Sequence, residues 1–319
     1  MKKIFSLSVI LLAVLLLLPL YALTNEQITE TATPESAQTM ADAQISGDDF
    51  KVLITETNKI ETLSAEDYIF GVVAGEMPAL YEEEALKAQA VCAYTFALWR
   101  KRENSDKDYD ISDDYTTDQC YISPEDARKK WGSNAETHEQ KIRNAIKAVL
   151  LQKLTYNGDI ILSVYHSLSS GKTESAKNVW GKEYPYLQAV ASVGDKLAAN
   201  YISTAQFTTE QLETALKITI PKDTKNIFSD IKRTESGTVK NITVCDQKMK
   251  GSEVRSALEL KSSNFEITQK DGVFTFTVYG YGHGVGLSQN GANYMAKQGS
   301  DYKEILTHYY KGCQIMRNS

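Results

Sequence analysis

The sequence predicts an α+β protein: a mixed α/β core with a small strand-rich subdomain inserted into it. Three observations predict this. Helical spacing governs residues 64–150, strand pairs around Asn-Gly, Ser-Gly and Asp-Gly turns govern the middle, and two short helical patterns close the chain. The core is assigned to residues 50–199 and 266–319, and the insertion to residues 200–265.

Organised sequence begins at Phe50, where Phe50, Val52 and Ile54 alternate as in a strand. Ser64 to Asp67, "SAED", is a capping-box signature, and Tyr68, Ile69, Val72 and Val73 share one face of the helix it opens. That helix should stop around Gly75, because Pro78 pushes Met77 out of the helical region. A second helix starts near Glu82, with Leu86, Ala90, Ala93 and Ala97 on one face, acidic residues in its first turn and "WRKR" at its end, both favourable to the helix dipole. A third is expected from Pro124 to about Leu150. Next come strand pairs with turns at Asn157-Gly158, Ser236-Gly237 and Asp271-Gly272. Helices over 290–297 and 302–310, stopped by Gly299 and Gly312, complete the reading.

Ahead of the core, Lys2-Lys3 precedes an uncharged apolar run from Ile4 to Leu23, long enough to span a bilayer. The lysines belong on the cytoplasmic side, which sends the rest outward, and Leu20-Tyr21-Ala22 is a poor cleavage site. Residues 1–23 are therefore read as a membrane anchor with a single pass, a cleaved signal segment being the rival, and 24–49, poor in large apolar residues, as a flexible stalk. A net charge of -6 without a compact Lys/Arg cluster argues against nucleic acid as a partner. Four scattered cysteines without a C-x-x-C suggest neither a disulfide scaffold nor a zinc site, and no cofactor or metal is expected.

Three stretches carry possible chemistry. Glu76 ends an apolar helix, where burial and the negative end of the helix dipole both raise a carboxyl pKa; it reads either as a general acid or as an ordinary helix-end glutamate. "YHSLSSGKTES", Tyr165 to Ser175, reads as a ligand-binding loop at a strand tip or as a Ser-rich turn, with His166 a ligand group or a satisfied strand-end histidine. "GYGHGVGLSQNGANYMAKQG", Gly280 to Gly299, lacks the third glycine of a dinucleotide loop, since Val285 and Leu287 occupy its place. Its glycines allow either a ligand or another backbone to come close, with His283, Ser288 and Gln289 as polar groups and Tyr279 and Tyr281 as flat surfaces. Cys120 with His166, or Ser167 with His283, can be drawn as a nucleophile and base, without any supporting motif. No second acid stands out beside Glu76; Asp118 and Glu174 are the possibilities.

Taken together and in this order, the stretches resemble the stage II sporulation protein D family, which includes amidase enhancers. "GVVAGEMPALYEEEALKAQAVCAYTFAL" looks like its Glu-Met-Pro helix pair, "VYHSLSSGKTESAKNVWGKEYPYLQAV" like its His-Ser loop with Trp-Gly and Pro-Tyr-Leu elements, and "GYGHGVGLSQNGANYMAKQGSDYKEILTHYYKG" like its C-terminal signature. "TTDQCY" matches a further Asp, Gln and Tyr neighbourhood, and the likeness covers roughly residues 50–313.

The resemblance implies a lytic transglycosylase acting on peptidoglycan glycan strands in septal wall remodelling during engulfment. Glu76 is then the catalytic residue, acid first and base second, and the MurNAc 6-hydroxyl closes a 1,6-anhydro ring. Sugar-binding roles fall to His166, Ser167, Ser169, Lys172, Asp118, Gln119, Tyr121, Trp180, Tyr281, His283, Ser288 and Gln289. A peptidoglycan amidase is the implied protein partner. The other class implied is a non-catalytic wall-binding enhancer of such an amidase. Two departures stand out: Tyr94 replaces the family's arginine, and Leu287 its methionine.

Overall fold

The computed structural model describes residues 49–317 apart from 222, 223 and 225. The expected anchor over 1–23 and nearly all of the stalk over 24–49 lie outside the described residues. Among the described residues no helix is long and apolar enough to cross a membrane.

The chain opens with β1 (Phe50–Ile54) and β2 (Lys59–Leu63), an antiparallel pair. Helix α1 (Ala65–Glu76) follows; the Ser64 hydroxyl accepts the Asp67 amide at 3.2 Å, and Met77 leaves it in an extended conformation ahead of Pro78. Helix α2 (Glu83–Glu103) is buried from Ala85 to Ala97 on nearly every side, so it is the central helix rather than an amphipathic surface one. After β3 (Ile111–Ser112), parallel to β1, the helix expected over 124–150 is two: α3 (Pro124–Trp131) and α4 (Ala135–Val149). A 3-10 turn from Gly132 separates them, with Gly132 at φ 55°, a conformation that does not continue a helix.

Asn157 and Gly158, both at positive φ, join β4 (Gln152–Tyr156) to β5 (Asp159–Ile160) in the expected hairpin. Then come β6 (Tyr165–His166), the short α5 (Ala176–Trp180), β7 (Ile202–Thr208) and α6 (Thr209–Leu216). Strands β8 (Phe228–Arg233), β9 (Val239–Val244) and β10 (Gln247–Lys250) form one antiparallel sheet capped by α7 (Gly251–Ala257). The β11 (Phe265–Lys270) and β12 (Val273–Tyr279) hairpin turns at Asp271-Gly272 and joins β7. Last are β13 (Leu287–Ser288), paired in parallel with β6, then α8 (Gln289–Lys297), α9 (Tyr302–Tyr309) and β14 (Gln314–Arg317), which returns to β4.

The architecture is α+β, with several small sheets rather than one large one. The described residues belong to a single compact unit that contains two hydrophobic cores. The first gathers α1, α2, α4 and α9; the second runs from Leu212 to Val278. Phe265, Phe274, Phe276 and Val278 pack in that second core, so the strand-rich part extends to about residue 279 rather than 265. The reason is register: β12 pairs along its whole length with β7 and cannot be assigned to the other lobe.

Candidate active site

Glu76 is the last residue of α1, and one segment, residues 118–122, lies across that helix to meet it. Two glycines make the approach possible. A Cβ on Gly71 would stand 2.3 Å from the Tyr121 ring and 2.6 Å from the Ile122 carbonyl oxygen; one on Gly75 would stand 3.0 Å from the Cys120 sulfur. Gly75 is therefore a close-approach glycine rather than a helix stop, and the helix runs one residue past it. The segment is tied down by the Ile122 amide donating to the Gly71 carbonyl at 3.3 Å and the Cys120 amide donating to Glu76 Oε1 at 2.9 Å.

A hydroxyl and amide network closes around the same carboxylate. The Tyr165 hydroxyl lies 2.9 Å from Gln119 Oε1 and 3.4 Å from Glu76 Oε1, and Gln119 Nε2 donates to the Tyr68 hydroxyl and to the Ala93 carbonyl. Gln289 also hydrogen-bonds Glu76, and its Nε2 reaches buried Gln89 Oε1 at 3.4 Å. Burial raises the Glu76 pKa and outweighs the hydrogen bonds from Cys120, Tyr165 and Gln289 and the attraction of Lys130, all of which lower it. A half-buried carboxyl held in this way keeps its proton to higher pH than an exposed glutamate does, which is the direction a general acid needs.

The glycine run proves to be a backbone crossing. Gly280, Gly282, Gly284 and Gly286 all have positive φ, and a Cβ on Gly286 would meet the Val164 carbonyl at 2.0 Å, one on Gly282 the His166 Cβ at 2.8 Å. Leu168 and Tyr281 exchange backbone hydrogen bonds across this contact, and Glu174 N bonds the Gly284 carbonyl. The crossing sets His166 beside His283, ring centroids 5.7 Å apart, with Trp180 5.3 Å from His283. His283 Nδ1 accepts the Val285 amide, and His166 Nδ1 faces the Val285 carbonyl, leaving His166 Nε2 buried without a partner. Burial brings the His166 pKa down to about 4 and that of His283 to about 3, so both are neutral hydrogen-bonding groups.

These elements enclose a cleft of about 610 Å³, within the usual range of ligand pockets. Of the residues expected from the sequence, Glu76, His166, Ser167, Trp180, Tyr281, His283 and Gln289 line it together with Asp118 and Gln119. The Asp118 carboxylate is already committed: Arg100 pairs with it and the Ser112 hydroxyl and amide donate to it at 2.6 and 3.0 Å. Arg100 thus makes the ion pair beside the cleft, while Tyr94 is a core ring packed on Phe50.

Four expected residues lie elsewhere. Tyr121 stacks on Tyr68 over Gly71, and Lys172 pairs with Glu235 at 3.1 Å outside the cleft. Ser169 and Ser288 both donate to buried Asp195, at 2.6 and 2.8 Å, and Ser288 also caps α8. They serve the frame rather than the opening. Cys120 is raised in pKa by burial and by Glu76, which opposes a thiolate nucleophile, and among the described residues no hydrogen bond joins Ser167 to His283. No group of three or more His, Cys, Asp or Glu is arranged to hold a metal ion among the described residues.

Tyr165, Tyr115, Gln89 and Asp195 are site or frame residues that sequence reasoning missed. Tyr165 sat in the quoted "YHSLSSG" loop, but strand alternation alone does not say that its hydroxyl meets a carboxylate from α1. Tyr115, 77% exposed, joins Tyr281 at 46% and Trp180 at 44% as accessible rings along the cleft. Nothing in "DDYTTD" marks it as more than a polar loop tyrosine.

A family profile described as stage II sporulation protein matches residues 54–156. The chain is 37% identical over 265 residues to stage II sporulation protein D of Bacillus amyloliquefaciens, covering 82% of this chain and 76% of that one. It is 35% identical to stage II sporulation protein D of Bacillus subtilis (strain 168), covering 91% and 85%. It is also 27% identical to the amidase enhancer of Bacillus subtilis, covering 77% of this chain and 40% of that protein.

Proposed function

The chain belongs to the stage II sporulation protein D family, a family involved in sporulation, and from that premise we propose that it is a lytic transglycosylase of peptidoglycan glycan strands. The observation that carries this reading is a single available carboxyl. Of the two carboxylates lining the cleft among the described residues, Asp118 is held by Arg100 and Ser112, whereas burial raises the pKa of Glu76, which faces the cleft. A hydrolase of the usual kind needs two carboxyl groups on opposite sides of the scissile bond. A transglycosylase needs one: Glu76 protonates the glycosidic oxygen as the bond breaks, then takes the proton of the MurNAc 6-hydroxyl as that oxygen closes on C1. Proton and leaving group balance without water.

The remaining groups support binding in this scheme. Tyr115, Trp180 and Tyr281 offer flat faces to sugar rings, and His166, Ser167 and His283 line the same cleft as uncharged hydrogen-bonding groups. Tyr165, Gln289 and the Cys120 amide hold Glu76 in place. The uncharged run from Ile4 to Leu23 supports membrane anchoring with the cleft outside the cytoplasm, facing the wall.

A second reading is favoured by the likeness to an amidase enhancer: a wall-binding protein that stimulates an amidase without cleaving glycan. Incubating purified glycan strands with wild type and Glu76→Gln, and weighing the products, separates the two. Ends of 1,6-anhydro-MurNAc from wild type alone are expected; binding without cleavage leaves the enhancer, and water-added ends point to a hydrolase.

A further inference from the structure

Beside the cleft, and sharing His283 with it, is a second and much smaller cavity of about 70 Å³, against about 610 Å³ for the cleft. Helix α5 forms the wall between them, with Trp180 in the cleft and Asn178 and Val179 in the smaller cavity. The opposite side comes from the strand-rich lobe and carries Arg255, Lys240 and Lys250.

Arg255 is the unusual member. It is partly buried; its Nε donates to the Leu260 carbonyl at 3.2 Å, and among the described residues its terminal nitrogens have no hydrogen bond and no carboxylate in ion-pair reach. A guanidinium has five N–H donors, so with Nε on the Leu260 carbonyl four remain for a ligand at the cavity. Burial lowers its pKa, and its charge helps to lower the pKa values of His166 and His283, so it acts within electrostatic reach of the cleft. Glu174 also lines the cavity, but Thr234 and Asn178 already bond its two oxygens. Three cations against one satisfied carboxylate leave the lining positive.

We propose that this cavity is a carboxylate subsite of the glycan cleft, in which Arg255 binds the acid carried on the 3-O-lactyl arm of a muramic acid residue while its ring lies beside His283. The proposal rests on the glycan reading of the cleft. A space this small accepts an acid head on a short arm but not a further sugar ring, and of the alternating sugars only muramic acid has such an arm. The carboxylate comes either from the free lactyl acid or from a stem peptide amide-linked to it.

The test is calorimetric binding to the full chain carrying Glu76→Gln, so that no ligand turns over. Three tetrasaccharides serve as probes: a GlcNAc-MurNAc dimer with free lactyl acids, the same with stem peptides, and chitotetraose, which has no lactyl arm. The free acid is expected to bind at least about tenfold tighter than chitotetraose, as a charge-assisted hydrogen bond provides. Adding Arg255→Gln should bring that ratio near one by weakening the acid ligand, and Arg255→Lys should keep part of it. If the peptide-bearing ligand alone shows the Arg255-dependent preference, the lactyl-acid subsite is overturned and the stem-peptide carboxylate is the group bound. The methyl ester of the free acid repeats the test with Arg255 intact, and should lose the preference. A ratio near one before Arg255 is changed, or equal weakening of both sugars by Arg255→Gln, overturns the subsite and leaves the glycan cleft standing. Failure to bind any of the three removes the glycan reading and the subsite with it.

Discussion

Gly71→Ala is the sharpest perturbation of the candidate site, because it adds one methyl group where residues 118–122 cross α1. Two effects compete. Alanine is a better helix former than glycine, by about 1 kcal/mol. Against it, the new Cβ would lie 2.3 Å from Tyr121 Cε2 and 2.6 Å from the Ile122 carbonyl oxygen, and neither is the free end of a flexible side chain. Overpacking of this kind costs about 1–3 kcal/mol, and at 2.6 Å from a backbone oxygen the upper half of that range applies. A net loss of about 1–2 kcal/mol lowers the melting temperature by roughly 2–8 °C in a protein of this size. Displacing the segment also pulls the Cys120 amide away from Glu76 Oε1, so the Glu76 pKa rises further and any pH profile governed by it moves upward. Thermal melts and a pH series measure both. Adding Tyr121→Ala should restore part of the stability, since the ring overlap goes and the carbonyl overlap stays. Gly75→Ala, with contacts of 3.0 and 3.1 Å to Cys120, should be far milder. A Gly71→Ala protein as stable as wild type, with an unshifted profile, would refute this account of the crossing.

Glu76→Gln should abolish cleavage and raise stability at neutral pH. Because the folded pKa of Glu76 is above its unfolded value, its contribution is full below about 4.5 and is lost as pH rises through the folded pKa, so the variant's advantage should widen from pH 4.5 upward; a pH-independent difference in melts contradicts it. His166 works in the opposite sense: held neutral in the fold, it makes stability fall as pH drops from about 6.5 to about 4, a loss of about 3 kcal/mol that His166→Gln should remove from the melting curve series. Asp195→Ala leaves the Ser169 and Ser288 hydroxyls and the Ser169 amide without their buried acceptor, and should destabilise by about 2–4 kcal/mol in denaturant titration. Lys172→Ala breaks only an exposed pair with Glu235, so glycan binding and stability should change by less than about 0.5 kcal/mol.

Local signals were enough to place most elements. Ser64 caps α1, Pro78 follows its end, and Asn157-Gly158 and Asp271-Gly272 turn their hairpins, because each acts through its own backbone and nearest neighbours. The break at Gly132 was not legible: helical spacing continues on both sides, and one glycine in a helix pattern does not announce a positive φ. The hairpin at 265–279 was assigned to the first core because strand patterns carry no information about which distant strand they pair with. Of the candidate site, Glu76, His166, His283 and Gln289 were legible as residue types in unusual company, and Trp180 only through the family resemblance.

By itself the sequence determined the mixed class, the turns, the helix starts and the acid at the end of α1, all consequences of chemistry within a few residues. Tertiary structure alone decided what each polar group meets. It assigned Ser169 and Ser288 to buried Asp195, gave Asp118 to Arg100, brought Tyr165 to Glu76 and left Arg255 facing an empty-sided cavity. It also made the glycines at 71, 75, 282 and 286 points of close approach between distant segments. The physical reason is that a hydrogen bond or a steric contact depends on separation in space over a few ångströms, and the partners here are 18 to 122 residues apart along the chain.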